Sequence, residues 1–393
     1  MSLRILHCIS SVNPEIGGPI EGLKQLAAAN RAIGNHVEVV SLDGPTDPWV
    51  SSFPIECHPM GPAIGNYRYS QRLAPWLRRH AAEYDAVIVN GIWQYNSFAA
   101  WRALAGGTTP YFVFTHGMLD PWFKRQFPLK HLKKSLYWPW AEYRVLRDAA
   151  AVLFTSESER LLARESFALY RCNERVVNYG TNLPPDDSDA QRSAFLEKFP
   201  QLKDKRCLLF LGRMHTKKGP DLLLKAWAAV LSELPEHARQ SLHLVMAGPA
   251  GDAYGAQLHE LAQRLGLDNT VTWTGMLGGA LKWGAFRCAD AFVLPSHQEN
   301  FGIAVAEALS CGTPVLISRE VNIWREIDAD GAGLVDDDTI EGTERLLRRW
   351  LATEESVWSG MRLAASQCFD RRFLATRAVE SLVATIEEFG RAR

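Results

Sequence analysis

The chain has 393 residues, of which 47% are hydrophobic and 22% charged, and its formal net charge is −1. That length exceeds one ordinary domain and predicts two. A near-neutral balance supplies no global field for nucleic acid or an anionic membrane, so any attraction to phosphate must be local.

The chain opens with an apolar strand, Ile5–Ile9, followed by a loop with Gly17, Gly18 and Pro19. A helical pattern runs from Ile20 to about Ile33, with Gly34 as its C-terminal cap, and Val37–Leu42 is the next strand. A strand, glycine loop, helix and strand in that order open a parallel α/β sheet. Short apolar runs follow at Ala86–Val89, Tyr111–Phe114, Ala151–Phe154 and Val176–Tyr179. They lack polar alternation, as strands covered on both faces do. Residues 1–180 therefore form one doubly wound domain. Residues 181–193 carry two prolines and several aspartates without periodicity, and they are expected to be a linker.

The same rhythm restarts over residues 194–372. Strands are expected at Cys207–Leu211, Leu242–Ala247, Val271–Thr274, Ala291–Leu294, Pro314–Ile317 and Gly333–Val335. Helices are expected at Asp221–Leu231 and Ala256–Leu265. A tail helix occupies 373–393, with Leu374, Ala378, Leu382 and Ile386 four apart. The fold class is α/β with two Rossmann-like doubly wound domains, and a ligand cleft is expected between them, at the carboxyl ends of the strands.

The seven cysteines form no C-x-x-C pair, and reduced thiols in a cytosolic protein are expected. The segment Leu3–Ser10 is strand-like rather than a signal peptide. No run approaches the ~20 apolar residues of a membrane span.

Chemistry concentrates in two segments. Ser296–Ser318 reads SHQENFGIAVAEALSCGTPVLIS and follows a strand. Asn300 is expected to cap a helix starting near Phe301, with Gly302 keeping the first turn uncrowded. Such a helix start offers amide hydrogens and partial positive charge to a phosphate. Glu299 then precedes the helix, and Glu307 sits about one and a half turns inside it. Gly212–Gly219 reads GRMHTKKG at the end of another strand, where Arg213 and Lys218 can converge on one diphosphate.

The E-x7-E spacing from Glu299 to Glu307 has F-G inside it and EALSCGTPV running on from Glu307. With G-R-x4-K-G and an N-terminal G-G-P loop, it resembles the family 4 retaining glycosyltransferases of the GT-B fold (glycosyl transferases group 1). The resemblance covers nearly the whole chain. It implies that Glu299 binds hydroxyls of the donor sugar and Glu307 the ribose. Phe301, Gly302 and Ile303 would offer backbone amides to the diphosphate, beside Asn300, with Arg213 and Lys218 holding the phosphates. Gly18 would let the first domain's helix approach the phosphates or acceptor. His116, in Thr115-His116-Gly117, matches the family histidine that faces the donor sugar. Met276 and Leu277 fall where the family seats the base. Glu299, His116, Arg213 and Lys218 are the expected catalytic group. The N-terminal domain would bind the acceptor, the C-terminal domain the nucleotide-sugar, and the tail helix would cross back to the N-terminal domain. The chain departs from the family at NYGTN, residues 178–182, and at VNIWRE, residues 321–326.

A retaining, metal-independent transferase is expected, moving a sugar from a UDP- or GDP-sugar to a glycan or polyprenyl-diphosphate-linked acceptor in surface polysaccharide or glycolipid synthesis. The nucleotide-sugar is a co-substrate, and no cofactor, metal or nucleic acid is expected. The D-x-D patterns Asp187-Ser-Asp189 and Asp328-Ala-Asp330 are taken as solvated acids, because neither follows a strand. A nucleotide-sugar epimerase of the same architecture and a non-catalytic nucleotide-sugar-binding protein are the alternatives. Trp122–Arg147 interleaves seven cations with aromatics, against the single acid Glu142. Trp122, Lys133 and Lys134 are its candidate acceptor contacts. A peripheral contact with the inner face of the plasma membrane is the accompanying expectation.

Overall fold

A computed structural model of the chain describes residues 2–16 and 18–390. Gly17, part of the expected G-G-P loop, lies outside the described residues. The chain divides into two compact units: Met1–Asn182 with Leu374–Arg393, and Leu183–Phe373.

The first unit holds seven parallel strands: β1 (Arg4–Ile9), β2 (His36–Ser41), β3 (Cys57–Pro59), β4 (Ala86–Asn90), β5 (Tyr111–Phe114), β6 (Ala151–Phe154) and β7 (Glu174–Val176). Their order is β3-β2-β1-β4-β5-β6-β7. The chain steps outward from β1 to β3, then returns to the other side of β1 at β4. That reversal is the topological switch of a doubly wound sheet. Alternate residues serve opposite faces. Leu6, Cys8, Val87, Val89 and Val113 enter one apolar cluster. Ile5, Ala86, Ile88, Phe112 and Phe114 enter another.

The second cluster is closed by the tail helix, Ala375–Gly390, through Leu382 and Ile386. Leu382 is fully buried. Leu382→Ala should destabilise this unit by about 3 kcal/mol, read as a lower urea midpoint with an unchanged slope.

The second unit holds β8 (Arg206–Leu211), β9 (Leu242–Ala247), β10 (Val271–Gly275), β11 (Ala291–Leu294), β12 (Val315–Ser318) and β13 (Gly333–Asp336). The order is β10-β9-β8-β11-β12-β13, again all parallel. Its switch lies between β8 and β11. The helix Pro220–Ser232 starts with proline and buries Leu223, Leu224 and Trp227.

Four expectations need correction. The strand expected at Val176–Tyr179 lies earlier, at Glu174–Val176, and β3 was not anticipated. The expected linker is half helix. Ser188–Lys198 is helical and packs on the helix Gly279–Cys288, so closely that a Cβ at Gly284 would stand 2.2 Å from the Gln191 carbonyl oxygen. The tail helix begins at Ala375, after a π-helical turn over Phe369–Phe373. Asp330 is not a solvated acid, because Arg372 grips it with two hydrogen bonds of 2.8 and 2.9 Å.

Candidate active site

In the second unit both expected phosphate segments leave the two strands that flank the switch. After β8 the chain passes Gly212 and Arg213, makes a 3-10 turn over Thr216–Lys218, and turns at Gly219 into the next helix. Gly219 has φ 65°, and a Cβ there would lie 2.2 Å from the Pro295 carbonyl oxygen. Only glycine lets the loops after β8 and β11 touch here. The contact is sealed by the Lys217 carbonyl, which accepts from the His297 amide at 2.8 Å and the Ser296 hydroxyl at 2.9 Å.

This closeness brings Lys218 Nζ to 2.5 Å from Glu299 Oε2, with both side chains mostly sheltered from water. The loop holding Glu299 is strapped to the segment after β12. Its amide donates to the Glu320 carbonyl at 2.9 Å, and its carbonyl accepts from the Asn322 amide at 3.0 Å. Burial pushes the Glu299 carboxyl up, but Lys218, Lys217 and Arg213 outweigh it and hold its pKa below the ordinary value. Glu299 is therefore an anion at neutral pH. Arg213 is exposed and joins no ion pair among the described residues.

The helix after Glu299 runs Ile303–Ser310, and its cap is Gly302 at φ 77°, not Asn300. A left-handed residue lets the chain turn from the glutamate loop straight into the helix. The helix start still leaves its first amides outside the intrahelical ladder. Phe301 turns its ring inward against Phe373, at 5.7 Å between centroids. Glu307 is buried and paired with Lys282 Nζ at 2.7 Å. Lys282 was not anticipated, since a lone lysine on the helix Gly279–Cys288 carries no motif. Met276 is 77% exposed after β10, beside the half-buried Leu277. The preceding Gly275 is left-handed and accepts from the Gly248 amide, which ties the ends of β9 and β10 together.

In the first unit the loops at the carboxyl ends of the strands carry His116 and a polar relay. His116 has φ 49° and is followed by Gly117 at 73°. Buried Glu159 holds this bend: Oε1 accepts from the Thr115 hydroxyl at 2.7 Å and the Gly117 amide at 2.6 Å. His116 Nε2 faces Asn90 Oδ1 at 3.2 Å, while Asn90 Nδ2 faces His7 Nδ1 at 3.1 Å and the Ile88 carbonyl at 3.2 Å. A carbonyl only accepts, so the Asn90 atom facing it must be the amide nitrogen. Asn90 Oδ1 is then an acceptor, and His116 carries its proton on Nε2 with a lone pair on Nδ1. Burial holds His116 down at about 4 and, with the charge of His116 added, His7 at about 3. Both are neutral at pH 7. The signal for Asn90 was an amide at the carboxyl end of an otherwise apolar strand.

At Gly18 no neighbour stands within 4 Å of an added Cβ, whereas at Gly22, one helical turn on, it would meet the Tyr179 hydroxyl oxygen at 1.6 Å. The close approach within this unit therefore belongs to Gly22. Lys134 does not face solvent with Lys133. Its ammonium lies over the Trp93 ring, 4.3 Å from the centroid, and burial lowers its pKa. The cavity beneath, about 60 Å³, is far below the several hundred Å³ of a small-molecule site. Trp122 is half-buried against Phe123 and Phe127. Among the described residues Glu38, Glu56 and His58 lie close enough to share a cation. Glu38 already pairs with Arg4 and His58 and accepts from Tyr84.

Two parallel Rossmann-like units, each with loops gathered at its switch, define the GT-B class of glycosyltransferase. Residues 191–358 match the family model for glycosyl transferases group 1, and residues 17–180 that for the glycosyl transferase 4-like domain. The two models between them take in most of both units, and the chain belongs to the family 4 glycosyltransferases of the GT-B fold. The chain is 36% identical over 181 residues to D-inositol 3-phosphate glycosyltransferase 2 of Catenulispora acidiphila, covering 44% of this chain and 41% of that protein. It is 31% identical over 221 residues to the D-inositol 3-phosphate glycosyltransferase of Kineococcus radiotolerans, covering 54% and 49%. The matched stretch thus spans under half the length of these relatives. Among solved structures, the sucrose-phosphate synthase of Thermosynechococcus elongatus superposes with a TM-score of 0.75 at 19% identity, over 100% of both chains. Anabaena HepE in complex with UDP and glucose gives 0.75 at 17%, over 98% of this chain and 100% of that one. At these identities the structural likeness concerns the fold.

Proposed function

We propose that this chain is a retaining, metal-independent glycosyltransferase that takes a sugar from a UDP- or GDP-sugar. The observation that carries it is the Lys218–Glu299 pair, 2.5 Å apart between the two strands at the switch of the second unit. A carboxylate anion held beside an ammonium, next to a helix start, has the parts needed to hold a sugar hydroxyl and a diphosphate together. Lys218 and the exposed Arg213 would stabilise charge on the leaving diphosphate as the glycosidic bond breaks. The amides of Phe301, Gly302 and Ile303 would hold its oxygens, with Asn300 alongside. Glu307 would bind the ribose, and Met276 and Leu277 would flank the base. His116, neutral with a lone pair on Nδ1, would accept a hydrogen bond from a sugar hydroxyl. No side chain of this set is placed as a nucleophile, which favours attack from the face the diphosphate leaves, the diphosphate taking the acceptor proton.

The first unit would receive the acceptor. A glycan on a polyprenyl diphosphate and a phosphorylated inositol are the two acceptor classes to try, the second because relatives bear the name D-inositol 3-phosphate glycosyltransferase. The deciding experiment has two stages. UDP, GDP and their sugars are screened by thermal shift, where the true donor raises the melting temperature by mass action. Nucleoside diphosphate release is then followed with and without acceptor. Release that requires acceptor supports transfer. Release of an altered nucleotide-sugar without acceptor would make the chain an epimerase, and binding without turnover would make it a carrier.

A further inference from the structure

The helix Pro128–Tyr137 buries none of its residues in the first unit. Leu129, Leu132 and Leu136 are 82%, 59% and 72% exposed, and Trp140 in the following turn is 71% exposed. Within the helix, spacings of three and four residues put the three leucines on one stripe, and Trp140 follows in a 3-10 turn just beyond its end. A single exposed leucine is ordinary, but three exposed leucines in register, with an exposed tryptophan in the next turn, make a patch that calls for a partner. Lys130 and Lys133 on the same helix, and Lys124 and Arg125 on the short helix before it, are all exposed. The one acid between residues 122 and 147, Glu142, is fully buried and accepts from the Trp93 amide and the Ser97 hydroxyl. The outward charge of the segment is therefore entirely positive.

We infer that this stripe is a docking face for an anionic lipid bilayer. The three leucines and Trp140 enter the boundary between headgroups and acyl chains, and the four cations meet lipid phosphates. Charge complementarity selects this occupant. A second copy packed on the same face would set lysines against lysines. Trp140 fits the role, since an indole has an apolar body and one polar N–H suited to the interface. Lys134, though on the same helix, contributes nothing outward because it is folded over Trp93. A ten-residue helix gives reversible association rather than permanent anchoring. Docking of this kind does not depend on which nucleotide the second unit binds.

The test is co-sedimentation of the full chain with vesicles of phosphatidylcholine alone and of phosphatidylcholine mixed with phosphatidylglycerol. The chain should sediment with the anionic vesicles and not the neutral ones, and added salt should release it. Leu132→Asp with Leu136→Asp should weaken binding on the order of tenfold or more. Lys130→Glu with Lys133→Glu should weaken it by about fivefold or more per residue. The leucine positions are exposed, so the first variant should keep the wild-type melting temperature and its response to UDP or GDP. Brominated lipid should quench fluorescence in wild type more than in Trp140→Phe. Failure to sediment with anionic vesicles at low salt overturns the inference, and so does wild-type binding by both variants. If instead the leucine variant turns a solution dimer into a monomer while vesicle binding is unchanged, the stripe joins two copies and the inference is wrong.

Discussion

Lys218→Ala should lower turnover on the order of a hundredfold or more, and Glu299→Gln should do the same. The physical reason is the geometry at the β8–β11 switch. Gly219 allows the two loops to touch, and the contact sets an ammonium against a carboxylate at 2.5 Å. Removing Lys218 takes away charge that would stabilise the leaving diphosphate, and it also leaves Glu299 sheltered with less to keep it ionised. The sign follows. Burial alone raises a carboxyl pKa, and Lys218 leads the interactions that lower this one. In Lys218→Ala the Glu299 pKa must therefore rise, and residual activity should fall as pH drops through the raised value. Because the two side chains act as a unit, the double variant should lose little more than either single one. Steady-state release of nucleoside diphosphate with saturating donor and acceptor measures all three. Near-normal turnover in both single variants would reject this site, and additive losses would mean that the pair does not act together.

Much of this site was legible because its parts are local. Tyr111–Phe114, Ala151–Phe154, Leu242–Ala247 and Ala291–Leu294 are strands with the bounds their apolar runs suggest. Each is buried along its whole length, so no polar alternation blurs the signal. Edge strands break that rule. β7 lies at the edge beside β6 and begins Glu174-Arg175, so its sequence does not look apolar, and the apolar run Val176–Tyr179 begins where the strand ends. β3 is three residues long, ends in proline and pairs only with β2. The helix Ser188–Lys198 has a weak apolar face and is held by tertiary packing, with Phe195 and Gln191 buried against the helix that carries Gly284. A sequence window cannot see a partner ninety residues away. The same limit applies to Asn300. Its residue type suits a cap, but the backbone gives that place to Gly302, whose left-handed turn no asparagine preference could announce. Lys282 was silent for the same reason, as it matters only through what the fold sets beside it.

Asn90→Asp should move the titration of His116 upward and give activity a new dependence on pH. In the wild type Asn90 is both donor and acceptor: Nδ2 meets the Ile88 carbonyl and His7 Nδ1, and Oδ1 meets His116 Nε2. That assignment leaves a lone pair on His116 Nδ1, and burial keeps the ring neutral down to about 4. An aspartate of nearly the same shape donates nothing and adds negative charge. A neighbouring carboxylate favours imidazolium, so the His116 pKa rises. Below the raised value His116 carries protons on both nitrogens, and Nδ1 can no longer accept from a sugar hydroxyl. Turnover of Asn90→Asp should then fall on the order of a hundredfold below that pKa and recover above it, while the wild type stays flat across the same range. Tyr179, 6.1 Å away edge-on, keeps its proton in both proteins, because burial pushes its pKa up. Nitrogen-15 spectra of the imidazoles read the protonation directly. Wild-type His116 should show its proton on Nε2 and no titration near 6.5. A proton found on Nδ1 would remove the role given to Asn90, whatever the kinetics. The expected tautomer with an unaltered pH profile in Asn90→Asp would instead remove His116 from the chemistry.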